Sequence, residues 1–224
     1  MPDIIKICSA SKKLRDGTKD RYILEDITYT QNSGEFNAII GPSGSGKTTF
    51  LQCAAGLDNF SAGSAIICNN NLQTISAKEK NELHNRKVGF VYQHTCLLPN
   101  LTTLENVALP LLIRKTAKNI AYDKAKHILA KIGLAESAHK FPQALSGGMK
   151  QKAAIARAII GEPEIIFADE PTGNLDTQSR DLLLNFLLEI KHNYNIAICL
   201  ITHDLSIAKL ADKSFTLENG KFIS

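Results

Sequence analysis

The stretch "GPSGSGKT" (residues 41–48) narrows the folds open to this chain more than any other feature. It matches G-x-x-x-x-G-K-[ST] and lies between a short apolar run, "EFNAII", and a helix-like stretch that begins near Lys47. A glycine-rich loop in that setting offers backbone N–H groups that can wrap phosphate oxygens, because no side chains obstruct them. On this reading Gly41, Pro42, Ser43, Gly44, Ser45 and Gly46 form the cradle, and Lys47 brings positive charge to the terminal phosphates. The Thr48 hydroxyl is placed to ligate Mg²⁺, and Thr49 completes the nucleotide-binding set. Alone, the motif does not separate a kinase, a GTPase and a transport ATPase.

Two later apolar runs, "EIIFAD" and "NIAICLITHD", read as strands buried on both faces, as in parallel sheets covered by helices. Ligands of open parallel sheets gather beyond the carboxyl ends of the strands, where the phosphate loop also lies. Asp169 and Glu170 follow the first of these strands. Asp169 is expected to hold Mg²⁺, directly or through water, and Glu170 to act as general base for the water that attacks the γ-phosphate. His203, past the second strand, is expected to reach the γ-phosphate. Gln93, after "GFVY", has the same strand-end logic and could touch Mg²⁺ or the attacking water.

The first ~40 residues read as strands broken by turns, and residues ~94 to ~160 as mainly helical. Thr102 and Glu105 match a capping box, Gly133 closes "AYDKAKHILAKIGL", and Gly161 with Pro163 stops the helix after Ser146. The result is an α/β core interrupted by a mostly helical insertion. Ser146, Gly147 and Gly148 stand directly before that last helix. They suit ordinary capping by Ser146, and equally a helix start whose open amides face an anion.

The remaining features mostly exclude. Of 224 residues 44% are hydrophobic, enough for one full core, and the net charge of +4 is spread along the chain. Lys12, Lys13 and Arg15 read as a solvated face, so no nucleic-acid partner is expected. Five scattered cysteines form no C-x-x-C pair, which argues against a zinc site or disulfide scaffold and suits a reducing compartment. "MPDIIKICSASKK" has no apolar stretch of signal-peptide length, and nothing approaches the ~20 apolar residues of a membrane span. Membrane contact is therefore expected only through partners.

These motifs, in this order, resemble the ATP-binding subunits of ABC transporters. The carriers are residues 41–48, Gln93, the signature "LSGGMKQ", Asp169 with Glu170, "GNLD" ending at Asp176, and His203. The resemblance implies a P-loop NTPase core with an N-terminal antiparallel β subdomain and an inserted helical subdomain. It divides the chain into a core of residues 1–93 and 161–224 and a helical subdomain of residues 94–160. It also implies ATP and Mg²⁺ as cofactors and a head-to-tail homodimer. In that dimer Ser146, Gly147, Gly148 and Asp176 serve the nucleotide held by the other copy, and two integral-membrane subunits are the further partners. Leu97, Leu98 and Leu101 follow Gln93, where members of the family receive a cytoplasmic helix of the membrane subunit.

Within the family, "FVYQHTCLLP", "LTTLENVALPLLI" and the ending "THDLSIAKLADKSFTLENGKFIS" resemble the group serving lipoprotein release, macrolide-type export and cell division, the lipoprotein-releasing branch most closely. That implies a peripheral position on the cytoplasmic face of the bacterial inner membrane. A chromosome-organising relative would need a long heptad insertion, for which the interval from Gln93 to Leu145 is too short. A translation factor of the superfamily would carry two cassettes. Two departures stand out: Met149 replaces the usual Gln or Glu of the signature, and Leu14 occupies the position of the base-stacking aromatic, with Tyr22 as an alternative platform.

Overall fold

The protein is described here from a computed structural model covering residues 2–16, 19–173, 175 and 177–223. Two long strands, β1 (Asp3–Asp16) and β2 (Lys19–Asn32), pair antiparallel; β4 (Ala62–Ile67) and β5 (Asn70–Asn71) extend them into a four-stranded sheet of order β2-β1-β4-β5. The second sheet contains β3 (Phe36–Ile40), β6 (Val88–Val91), β7 (Ile165–Asp169), β8 (Ala197–Ile201), β9 (Lys213–Glu218) and β10 (Lys221–Ile223). Its order is β10-β9-β3-β8-β7-β6, parallel throughout except for the β9–β10 hairpin.

The expected two-faced burial is found: every residue of β8 is buried, as are four of the five in β7. One face packs with α1 (Lys47–Ala54) against the antiparallel sheet. There the rings of Tyr29, Phe50, Phe215 and Phe222 meet at centroid distances of 5.0–5.9 Å, locking β2, α1 and the β9–β10 hairpin together. The other face is covered by α5 (Gly147–Ile159) and α6 (Thr177–Tyr194), whose Leu183, Leu187 and Ile190 recur at helical spacing.

A separate apolar cluster is built by α3 (Thr103–Ile113), α4 (Lys118–Lys131) and the buried side of α5. The capping box at Thr102 and Glu105 is present, and Gly133 takes the left-handed conformation after α4. The helix α5 ends at Ile159, just before Gly161 as expected, and the left-handed residue beyond it is Glu162. Gly161 has another task, since a side chain there would collide with the Arg114 guanidinium. Arg114 donates to Gly161 O (2.7 Å) and, through Nε, to Asn85 O (2.8 Å), pinning the end of α3 to both neighbours.

Two further points go beyond the sequence reading or correct it. A helix, α2 (Ala77–Arg86), stands before β6, opened by a capping box of Ser76 and Glu79. Lys12 is not part of a solvated face: it is 9% exposed, and its Nζ donates to Asp58 Oδ1 (2.7 Å) and Asn59 O (2.9 Å). Among the described residues no helix is long and apolar enough to cross a membrane.

Candidate functional site

Strand order sets the site. Because β3, β8, β7 and β6 are consecutive parallel neighbours, the segments leaving their carboxyl ends stand in a row at one edge. These segments carry, in that order, the phosphate loop, His203, Asp169 with Glu170, and Gln93.

The loop between β3 and α1 depends on glycine at two points. Gly41 has φ 156°, and a side chain there would strike Leu217 O. Gly46 has φ 104°, and a Cβ would lie 2.9 Å from Ile23 O. Pro42, Ser43, Gly44 and Thr48 are exposed, whereas Ser45 and Lys47 are buried and Thr49 half-buried. Lys47 Nζ donates to Gly41 O (2.8 Å) and Pro42 O (2.9 Å), which folds its charge back over the loop. The Ser45 hydroxyl is buried without a hydrogen-bond partner.

Asp169 ends β7 beside this loop. Burial pushes its carboxyl above the ordinary aspartate range, and the neighbouring charge of Glu170 adds to the rise. A hydrogen bond from Thr48 and the charge of Lys47 oppose that rise without cancelling it. The charged form of Asp169 is thus under-compensated, which suits a ligand to a cation. Glu170 has φ 47°, and its N–H is held by Ile201 O (3.0 Å). Its Oε2 lies 2.7 Å from His203 Nδ1, but the contact lacks hydrogen-bond alignment, so the buried oxygen has no hydrogen-bond partner. His203 itself is largely exposed. Gln93 is exposed, with Nε2 3.4 Å from where a side chain on Gly173 would begin. These features fit a nucleotide with a divalent cation: buried polar atoms without partners, a folded-back ammonium, and a carboxylate that burial disfavours.

The fit has a testable cost. In the nucleotide-free protein Asp169→Asn is expected to raise the thermal unfolding midpoint at neutral pH, where the penalty of ionising the buried carboxyl is fully present. Because the folded-state value is raised, that penalty disappears as the pH falls through the ordinary aspartate value of about 4. The variant and the parent should therefore converge in acid. Calorimetry showing a lower midpoint for the variant at neutral pH would contradict this.

Ser146 caps α5, its Oγ accepting from Met149 N (3.3 Å), while Ser146 and Gly147 are exposed and Gly148 backs onto Ser179 of α6. Among the described residues no hydrogen bond or ion pair joins this helix start to residues 41–48 of the same chain. Asp176 lies outside the described residues. Leu14 and Tyr22 fall in successive register pairs, Leu14 with Arg21 and Lys13 with Tyr22, and so occupy opposite faces. Leu14 shares the face from which Lys12 reaches Asp58, just past α1; the Tyr22 ring instead carries Lys13 Nζ 4.7 Å from its centroid.

The model of the ABC transporter family matches residues 24–173. The chain belongs to the ABC transporter family. It is 38% identical over 220 residues to the lipoprotein-releasing system ATP-binding protein LolD of Hydrogenovibrio crunogenus, covering 98% of this chain and 96% of that one. The LolD of Buchnera aphidicola is 37% identical over 221 residues, covering 99% and 97%. Among solved structures, the ATP-binding cassette MJ0796 in a dimeric post-hydrolysis state bound to ADP and Pi superimposes with a TM-score of 0.92 at 32% identity, covering 98% of this chain and 97% of that one. A second dimeric structure of MJ0796, described as a bacterial ABC transporter cassette, matches equally. The α/β core with its antiparallel sheet and helical insertion is thus the ABC ATPase fold, as the motifs implied.

Some contacts of this ABC transporter subunit had no trace in the motifs. Arg180 Nη1 pairs with Asp204 Oδ2 (3.1 Å), tying the start of α6 to the residue after His203. Gln151 and Arg157 of α5 bond backbone carbonyls around Gln93. Neither has a spacing signature, because side-chain bonds to distant backbone leave no pattern along a sequence.

Proposed function

We propose that this chain is the ATP-hydrolysing subunit of an ABC transporter that releases lipoproteins from the inner membrane. It works as a homodimer beneath two integral-membrane subunits on the cytoplasmic face. The observation that carries the hydrolytic part is the row of strand ends, in which the phosphate loop, His203, the acidic pair and Gln93 share one edge. The lipoprotein part is supported by near-full-length identity to the two LolD proteins.

In this reading residues 41–49 hold the ATP phosphates, with Leu14 an apolar contact for the base. Thr48, Asp169 and Gln93 would hold Mg²⁺, which when bound neutralises phosphate charge and polarises the scissile bond. Glu170 takes the proton of the attacking water, and His203, whose Nδ1 lies 2.7 Å from Oε2, steadies that carboxylate and reaches the γ-phosphate. Ser146, Gly147 and Gly148 offer open amides at a positive helix end, suited to the phosphate held by a second copy. Asp176 is assigned to the same interface. Residues 94–160 act as the helical subdomain, and residues 1–93 with 161–224 as the core. Past Gln93, Leu98 is exposed beside the half-buried Leu97 and Leu101, an apolar edge suited to a helix of the membrane subunit.

The test is retrieval of the tagged chain from detergent-solubilised membranes. Two membrane proteins should accompany it, and the purified assembly should release lipoproteins from proteoliposomes only when ATP is supplied. Recovery with a cell-division membrane protein, and no ATP-driven release, would overturn the assignment.

A further inference from the structure

We infer that Gln151 and Arg157 of α5 are positioning residues for Gln93, fastening the backbone on both sides of it to the helix that starts at the signature. The inference rests on the role proposed above for Gln93.

Gln93 follows β6, a core strand, yet the backbone around it is bonded elsewhere. Gln151 Nε2 donates to Tyr92 O (3.3 Å) on one side. On the other, Arg157 Nη1 donates to Cys96 O (2.7 Å) and Nη2 to Thr95 O (2.9 Å). A guanidinium bridging two consecutive carbonyls is a stiff, charge-assisted link, and Gln151 is 3% exposed, so solvent competes little for its bond. The helical layer holds the segment further along as well. Fully buried Asn106 of α3 accepts from Leu98 N (2.7 Å) and donates to Leu98 O (3.0 Å), while Leu97 packs on the α3–α4–α5 cluster.

A cavity of about 340 Å³ is lined by Gln93 and Thr95, by Gly147 and Gln151 of α5, and by Pro171 and Leu175. The helical layer thus holds the backbone of the segment, while the Gln93 amide itself reaches the loop after Glu170 at Gly173.

A double-mutant cycle on the full chain tests this, with steady-state ATPase kcat and KM read for the parent, Gln93→Ala, Arg157→Met and the double variant. Arg157→Met is expected to lower kcat about tenfold with KM for ATP changed less than about twofold. Gln93→Ala should lose at least as much, and the double variant no more than Gln93→Ala alone, because both act through one group. Should Arg157→Met fail to fold, Gln151→Met replaces it in the cycle with an expected loss of about threefold. Multiplying losses, a loss carried by KM, or parental kcat in the positioning variant would overturn the inference. Parental turnover in Gln93→Ala would show instead that the role given to Gln93 is wrong, and the inference would fall with it.

Discussion

Replacing Glu170 by glutamine slows ATP turnover by about 10²–10⁴-fold while Mg-ATP binding persists. The carboxylate stands at the end of β7 with Oε2 buried, free of hydrogen bonds and 2.7 Å from His203 Nδ1. Glutamine has almost the same shape, so the loop and its bond to Ile201 O need not move. What it lacks is basicity: an amide cannot accept the proton of the attacking water. Nucleotide joining two copies would then not be consumed, and the variant should run as a dimer in Mg-ATP and as a monomer without it. Phosphate release and light scattering read the two effects separately. Parental turnover in the variant would remove Glu170 from the role of base.

Lys47→Ala acts on the other limb of the cycle and weakens binding itself. Lys47 is 8% exposed, and its ammonium already donates to Gly41 O and Pro42 O, the first two residues of the loop. Its removal withdraws the only side-chain cation of residues 41–48 and leaves two carbonyls without their donor. Two charge-assisted contacts from this ammonium to the phosphates, at about 1.5 kcal/mol each, would correspond to a rise of about a hundredfold in the Kd for Mg-ATP. Calorimetric titration measures this directly, and a Kd within about threefold of the parent value would contradict it. The contrast between the two variants is diagnostic, one binding without turning over and the other failing to bind.

Much of this site could be read from the residues because it is built from strand ends. "EFNAII" is an apolar run that stops at the glycine-rich loop, "EIIFAD" and "NIAICLITHD" stop at polar residues, and parallel pairing then brings these ends to one edge. Features that depend on which side chain meets which distant backbone were not legible. Lys12 sits in a basic cluster, and nothing near it announces Asp58 as a partner. Gly161 stands just past the end of α5, as its type suggests, but nothing along the chain announces that it is also the bare patch under Arg114. The missed helix α2 did carry a signal, since Ser76 and Glu79 have the same spacing as the capping box recognised at Thr102 and Glu105.

The left-handed backbone of Glu170 has a consequence for how this position responds to selection. A non-glycine residue there costs about 1 kcal/mol that glycine would not incur. Screens that reward heat tolerance alone should therefore enrich glycine at position 170 and return a sturdier but inert protein. Libraries scored for both properties should retain the acid and find their gains elsewhere.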